Sequence, residues 1–177
     1  MATNLELITN FQASGLTTQI IDCDNVFSEN YDVYCIKLYA LESSAGNSQW
    51  VRIRYIDNTG TVITASEYDY AQLTMPSNSA FYENRATSQN NIQYSGIGYT
   101  DDTGDNAIMY IYNPYNSSSY TFQMGQSSFM VGSVNFGAKG ISVHKSAETI
   151  RGIRFYTDPA YMGAWNISFY GVKWVAH

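Results

Sequence analysis

The sequence is poor in basic residues and histidine, and it has no long hydrophobic run. Lys and Arg number 9 against 15 Asp and Glu, which gives a net charge of -6, and there are only 2 His. Binding to a nucleic-acid backbone draws on clustered basic side chains, so we expect no nucleic-acid partner. The apolar runs are too short for a membrane span, and no basic and then apolar segment opens the chain. We therefore expect no membrane partner and no export signal.

Cysteine is equally scarce, and the two that occur form no metal-binding pattern. Cys23 and Cys35 belong to no CxxC motif and have no His at zinc-ligand spacing, so a zinc site is unsupported. Two buried free thiols are the expected state, and a disulfide between them is the alternative. The sequence predicts no metal and no cofactor.

Tyrosine, by contrast, is abundant, and the chain alternates as β-strands do. There are 16 Tyr, and 15% of the residues are aromatic, which suits pleated sheets. Residues of one face recur at every second position in two segments: Tyr34, Ile36 and Leu38 in the first, and Val51, Ile53 and Tyr55, opposite Arg52 and Arg54, in the second. Further strands are predicted at 106–112, 119–124, 139–144 and 150–156.

These strands predict an all-β protein. The turn signals Asn58 and Gly60 indicate a hairpin over 50–65, and the alternation of Trp165, Ile167 and Phe169 predicts a core strand near the C-terminus. With no internal repeat or linker, residues 1–177 are expected to form a single domain. The predicted fold is an antiparallel β-sandwich of jelly-roll type, with a closed barrel as the alternative.

One segment resists assignment. Residues 70–91 mix apolar residues with Ser, Asn and Pro, so both a short helical turn and a long loop stay open.

A search for catalytic residues yields none. His144 follows Ile141 and Val143 at a predicted strand end, where a hydrogen-bonded or solvent-facing histidine is expected rather than a catalytic base, and no GxSxG motif accompanies it. His177 is the last residue of the sequence. The carboxylates that a glycosidase would need are interpreted as solvated loop charges: Glu67, Asp69, Glu83 and Glu148. The sequence therefore favours a protein that is not an enzyme.

An acidic cluster surrounds Gly104. Asp101, Asp102 and Asp105 resemble half of a calcium loop, but the spacing departs from the EF-hand pattern and the closing Glu is missing. Asp and Gly also favour any tight turn between strands, so we expect a turn. Asp22 and Asp24 could complete an ion site.

Loop tyrosines are the best candidates for contact with a partner. Tyr112, Tyr115 and Tyr120 surround the segment NPYNSSS, which has the composition of a loop. Exposed tyrosines stack on sugar rings and anchor protein interfaces. We predict a role for these three in an interface or in glycan contact.

Several segments together resemble a known group of proteins. They are FSENYDVYCIKL, IDNTGTVITASEYDYA, NPYNSSSYTF, GISVHKSAETIRGIRFY and ISFYGVKW, and they lie within residues 27–174. In this order they resemble small virion structural proteins of tailed bacteriophages, notably phages of marine bacteria and cyanobacteria. The resemblance implies a jelly-roll-like β-sandwich located in the virion, with no catalytic residues.

What the resemblance implies about function leaves two hypotheses. In the first, the protein is a capsid decoration or a small head or tail appendage that contacts other virion proteins and forms a homo-oligomer. In the second, it is a glycan-binding module of a tail or fibre that adheres to the host surface.

Overall fold

A computed structural model describes residues 4–13, 18–41, 49–93, 99–100, 105–158, 162 and 164–173. These residues form β-strands joined by turns and loops: β1 (Leu5–Ala13), β2 (Ile20–Cys23), β3 (Val33–Leu41), β4 (Gln49–Trp50), β5 (Arg52–Asp57), β6 (Tyr68–Pro76), β7 (Tyr82–Gln89), β8 (Tyr99–Thr100), β9 (Asp105–Tyr112), β10 (Thr121–Val131), β11 (Val134–His144), β12 (Ile150–Tyr156) and β13 (Trp165–Val172). The described part of the chain has no helix of the length and apolarity that crossing a bilayer requires.

The strands are arranged as a sandwich of two principal sheets. The large sheet has eight strands in the order β1-β13-β3-β9-β10-β11-β6-β7, and the small sheet has the order β2-β12-β5. β4 and β8 form a separate two-stranded pair. Each strand of the small sheet lies, in chain order, between strands of the large sheet, so the chain passes repeatedly from one layer to the other. The prediction of an all-β, antiparallel sandwich is confirmed.

The core lies between the two sheets, and it contains the faces that alternation predicted. Tyr34, Ile36 and Leu38 of β3 are at most 1% exposed, and Ile53 and Tyr55 of β5 are fully buried. Ile167 and Phe169 of β13 are also fully buried, which confirms the predicted core strand. Burying one such side chain contributes roughly 1.5–3 kcal/mol, so these alternating faces account for much of the stabilisation of the sandwich.

Residues 70–91 form neither a helical turn nor a loop. β6 and β7 pair as an antiparallel hairpin in which Leu73 lies opposite Glu83. β7 is an edge strand of the large sheet and is largely exposed on both faces. An edge strand that buries little has no need of apolar alternation, which is why its sequence does not show the pattern of a strand.

The predicted turn after β5 is present. Asp57 Oδ1 accepts hydrogen bonds from the backbone N–H groups of Thr59 and Thr61, at 2.8 and 2.9 Å. Gly60 has a φ of 90°, a conformation that glycine adopts without steric cost. After the turn, Val62 forms an isolated antiparallel bridge with Ile56 of β5. The hairpin is therefore shorter than the predicted 50–65.

Two buried tyrosines bind the backbone of neighbouring segments. The Tyr34 hydroxyl donates to the carbonyl of Ser28 (2.9 Å) and accepts from its N–H group (2.7 Å). The Tyr68 hydroxyl accepts from the N–H of Tyr55 (3.1 Å) and donates to the carbonyl of Ile63 (3.2 Å). Some of the many tyrosines thus connect segments of the fold through hydrogen bonds to their backbone.

The first and last strands of the sandwich are neighbours. β1 pairs with β13 antiparallel, with Leu5 opposite Val172 and Ala13 opposite Trp165. This pairing places β1 at one edge of the large sheet and β13 inside it.

Both cysteines are free and buried, as predicted. Burial raises the pKa of each thiol above its usual value, which keeps Cys23 and Cys35 in the unreactive thiol form.

Candidate functional site

The outer face of the large sheet carries an apolar surface where a polar one is expected. In β10, Phe122 and Met124 are 46% and 40% exposed, whereas Thr121 and Gln123, which alternate with them, are buried. In β11, Ile141 is 58% exposed and its neighbour Ser142 is buried. The first residues of β10 and the last residues of β11 therefore direct apolar side chains outward and polar side chains into the sandwich, whereas farther along β10 Phe129 is buried.

Strand register makes this surface continuous. Phe122 lies opposite Tyr112 on one side and Val143 on the other, and Met124 lies opposite Ile141. Directly opposed side chains on one face of a sheet are in contact distance. We call the set formed by Tyr112, Phe122, Met124, Ile141 and Val143 the outer apolar patch.

The outer apolar patch forms the floor of a groove of about 770 Å³. Its rim includes the polar side chains of Asp69, Arg85 and Thr87 from β6 and β7. Asp69 is held by an ion pair with Lys145 (2.8 Å) and accepts from the N–H of Ser88 (2.7 Å). The hydrogen bond from Lys145 lowers the pKa of the Asp69 carboxyl, so this part of the rim stays charged at neutral pH.

The structure does not gather the three predicted tyrosines into one platform. Tyr112 lines the groove, and its hydroxyl donates to Met124 Sδ at 3.2 Å. Tyr115 is partly buried and packs against the core. Tyr120 precedes β10 and is 46% exposed. Of the three, Tyr112 alone belongs to the groove lining in the described part of the chain.

The predicted acidic turn can be followed only in part. Asp101 and Asp102 lie outside the described residues, and the side chain of Asp105 does too. Asp22 and Asp24, which would have completed an ion site, are occupied by arginines. Asp22 forms two hydrogen bonds of 2.6 Å with Arg154, and Asp24 forms bonds of 2.8 and 2.5 Å with Arg151.

A second cluster lies where the end of β11 meets the start of β6. The His144 side chain is fully buried, and its Nε2 atom lies 3.2 Å from Glu67 Oε2 and 3.7 Å from Glu148 Oε1. The two glutamates are 39% and 33% exposed. The expectation of a hydrogen-bonded His144 is confirmed. Glu67 and Glu148 lie on loops, as interpreted, but they are not simply solvated, because the pairing of β6 with β11 brings Glu67 to the histidine and the turn after β11 brings Glu148 to it.

The histidine is held in place by its surroundings. It lies opposite Tyr68 in β6 and opposite Thr121 in β10, and the rings of Tyr55 and Tyr68 pack against the imidazole at centroid distances of 5.9 and 5.0 Å. Burial lowers the pKa of His144, while Glu148 and the hydrogen bond to Glu67 act in the opposite direction. The imidazole is therefore neutral at pH 7.

Sequence reasoning missed this cluster for a physical reason. Glu67 and His144 are distant in sequence and meet only because β6 and β11 are neighbours. The spacing of His144 and Glu148 was visible, but an i, i+4 pair indicates contact only in a helix, and these two are joined by a turn. The missing information was the strand order.

The comparisons with known proteins do not add a function. No protein family matches the chain, and no curated protein or solved structure shows significant similarity to it.

Proposed function

We propose that the protein is a non-enzymatic structural subunit that self-associates through the outer apolar patch, and that it belongs to a virion. The observation that carries the proposal is the reversed polarity at the start of β10 and the end of β11, where Phe122, Met124 and Ile141 face outward while Thr121 and Gln123 are buried. A reversed face lowers the stability of an isolated domain, because exposed apolar surface and buried polar groups are both unfavourable. Association that covers the patch offsets this cost.

The rim of the groove supports a second copy of this chain as the occupant. A two-fold interface requires a surface that is complementary to itself. The groove lining carries Arg85 and the Asp69–Lys145 ion pair, so a copy rotated by a two-fold axis can place Arg85 against the acidic side of that pair while the apolar patches face each other. Such contacts offset part of the general repulsion between copies that each have a net charge of -6.

The location in a virion rests on the sequence resemblance to tailed-phage structural proteins. In that setting, a subunit without catalytic residues acts as a decoration or appendage that binds other virion proteins. Contacts dominated by apolar and tyrosine side chains tolerate salt, because screening weakens only the charged part of an interface.

The test is size-exclusion chromatography with mass measurement, on the wild type and two variants. Ile141→Asp places a charge in the outer apolar patch. Leu7→Asp is its matched control, because Leu7 is also 58% exposed. It lies on β1, five strands from β11 in the sheet order, which corresponds to roughly 24 Å at about 4.8 Å per strand.

We expect a defined oligomer for the wild type and Leu7→Asp, and monomers for Ile141→Asp. A wild type that is monomeric at every concentration refutes self-association. The virion role is tested separately, by mixing the protein with particles that lack it. Binding in a fixed copy number supports this role, and failure to bind refutes it.

Glycan binding is the second candidate, and the position of Tyr112 favours it. An aromatic ring in a groove with a polar rim is suited to stacking on a sugar. Tyr112→Ala would then abolish binding on a glycan array without changing the oligomeric state. Loss of oligomerisation in this variant would favour the interface instead.

A further inference from the structure

We propose that Glu67, His144 and Glu148 form a binding site for a divalent transition-metal ion, with zinc as the ion that fits best. This site is independent of the self-association proposed above. It lies at the junction of β6, β11 and the turn after β11, and its three donor atoms all lie within 4.8 Å of one another.

Two of the three donor-atom distances are close to those between ligands of a tetrahedral ion, and all three lie within 4.8 Å. Zinc binds nitrogen and carboxylate oxygen at about 2.0–2.2 Å, so two ligand atoms of a tetrahedron lie roughly 3.3–3.5 Å apart. His144 Nε2 lies 3.2 Å from Glu67 Oε2 and 3.7 Å from Glu148 Oε1. Small rotations of the two partly exposed glutamates bring the three atoms to a common centre. The histidine need not move.

The chemistry of the donors selects the class of ion. An imidazole nitrogen combined with two carboxylates suits zinc and its transition-metal neighbours, whereas calcium and magnesium prefer oxygen ligands alone. Glu67 and Glu148 are 39% and 33% exposed, which allows an ion to enter and water to occupy the remaining coordination position.

Charge balance also favours a cation here. Two carboxylates converge on the imidazole of His144, and Lys145, the residue that follows it, forms its ion pair with Asp69. Like charges this close disfavour each other. A divalent ion between Glu67 and Glu148 compensates both.

The unused nitrogen of the imidazole has a suitable neighbour. When a metal occupies Nε2, the ring proton must be on Nδ1, and a metal-bound histidine usually donates this proton to a second group. Nδ1 is buried without a hydrogen-bond partner among the described residues, and so is Oγ1 of Thr121, the residue directly opposite in β10.

The experiment is titration calorimetry with zinc chloride on the folded protein, after dialysis against a chelator. The variants are Glu67→Gln and Glu148→Gln, which keep the side-chain size and remain at partly exposed positions. Glu83→Gln, an exposed site on β7, is the matched control for loss of one carboxylate. His177→Ala removes the second histidine of the chain as a source of adventitious binding.

We expect one zinc ion per chain. The affinity should fall at least tenfold in Glu67→Gln and Glu148→Gln, because loss of even a group that only supports a metal ligand typically lowers metal affinity about 10–100-fold. It should be unchanged in the two controls. Cobalt(II) should give the intense visible absorption of four-coordinate cobalt in the wild type and the two controls, but not in Glu67→Gln or Glu148→Gln. Absence of zinc binding, equal binding by all variants, or equal binding of calcium would each overturn the proposal.

Discussion

The sharpest test of the packing is the removal of one hydroxyl from the core, in Tyr68→Phe. Tyr55 and Ile63 face each other as two strand residues do, and the N–H of Ile63 donates directly to the carbonyl of Tyr55 at 2.9 Å. The reciprocal hydrogen bond, from the N–H of Tyr55 to the carbonyl of Ile63, is not formed directly. The Tyr68 hydroxyl stands between the two groups, accepting from the N–H of Tyr55 and donating to the carbonyl of Ile63.

The magnitude follows from the groups that the substitution leaves behind. Phenylalanine preserves the ring and its packing, since Tyr68 is fully buried. It leaves one buried N–H and one buried carbonyl without their partner. Each such group costs about 1–3 kcal/mol, so we expect Tyr68→Phe to lower the free energy of unfolding by about 2–6 kcal/mol.

Tyr55→Phe is the matched control, because Tyr55 is equally buried and also forms a hydrogen bond. Its hydroxyl donates to a side chain rather than to the backbone, reaching Gln123 Oε1 at 3.3 Å. Tyr55→Phe leaves one buried acceptor, Gln123 Oε1, without this partner, whereas Tyr68→Phe leaves two backbone groups without theirs. We therefore expect the control to lose about half as much stability as Tyr68→Phe.

The assay is urea unfolding of both variants and the wild type at pH 7. The denaturation midpoint should fall in the order wild type, Tyr55→Phe, Tyr68→Phe, with an unchanged slope, because the surface exposed on unfolding stays the same. Equal losses in the two variants would refute the reasoning. They would mean that the backbone around Ile63 relaxes to form the direct bond.

Two further predictions concern charge and close packing. The hydrogen bonds from Arg151 lower the pKa of Asp24 in the folded state, so this carboxylate stabilises the fold above its unfolded pKa of about 4. Unfolding curves should show that this stabilisation is lost as the pH falls through the lower folded pKa. Asp24→Asn should be less stable than the wild type at pH 7, and its stability should fall less than that of the wild type as the pH is lowered. A Cβ atom on Gly152 would lie 2.7 Å from the carbonyl oxygen of Cys23, so Gly152→Ala should lower the stability measured by thermal unfolding by about 1–3 kcal/mol. Gly137→Ala should lower it less, because the tightest contact there is with the end of a flexible side chain.

The sequence predicted the strands of the core because their alternation follows burial. In β3 and β5 the apolar residues face inward, so the periodicity identified both the strand and its buried face. In β10 and β11 the alternation was visible too, but a period of two does not say which face is inside. Only the position of the small sheet decides that Phe122 and Ile141 face outward.

The edge of the large sheet was missed because edge strands obey weaker rules. β7 is held by backbone pairing with β6 and buries little, so its side chains, among them Glu83 and Arg85, carry no periodic signal. Charged residues on an edge strand also discourage pairing with another chain. Composition alone made this segment look like a loop.

The candidate sites were predictable only in part. Tyr112 was identified from its loop context and does line the groove. Tyr115 instead packs against the core, because an aromatic side chain beside a loop can turn either toward solvent or toward the interior. The cluster of Glu67, His144 and Glu148 depends on the pairing of β6 with β11. Pairing of strands so far apart in sequence is decided by the whole fold rather than by local pattern.

The pairing of β1 with β13 has a mechanical consequence. Leu5 lies opposite Val172, so the beginning of β1 and the end of β13 are at the same end of the large sheet. Tension applied at these two points would load the bonds between the strands one pair at a time, as in a zipper, rather than all together in shear. Any polypeptide joined at these points would leave the sandwich from one side, so a circular permutant that links them would need only a short connection.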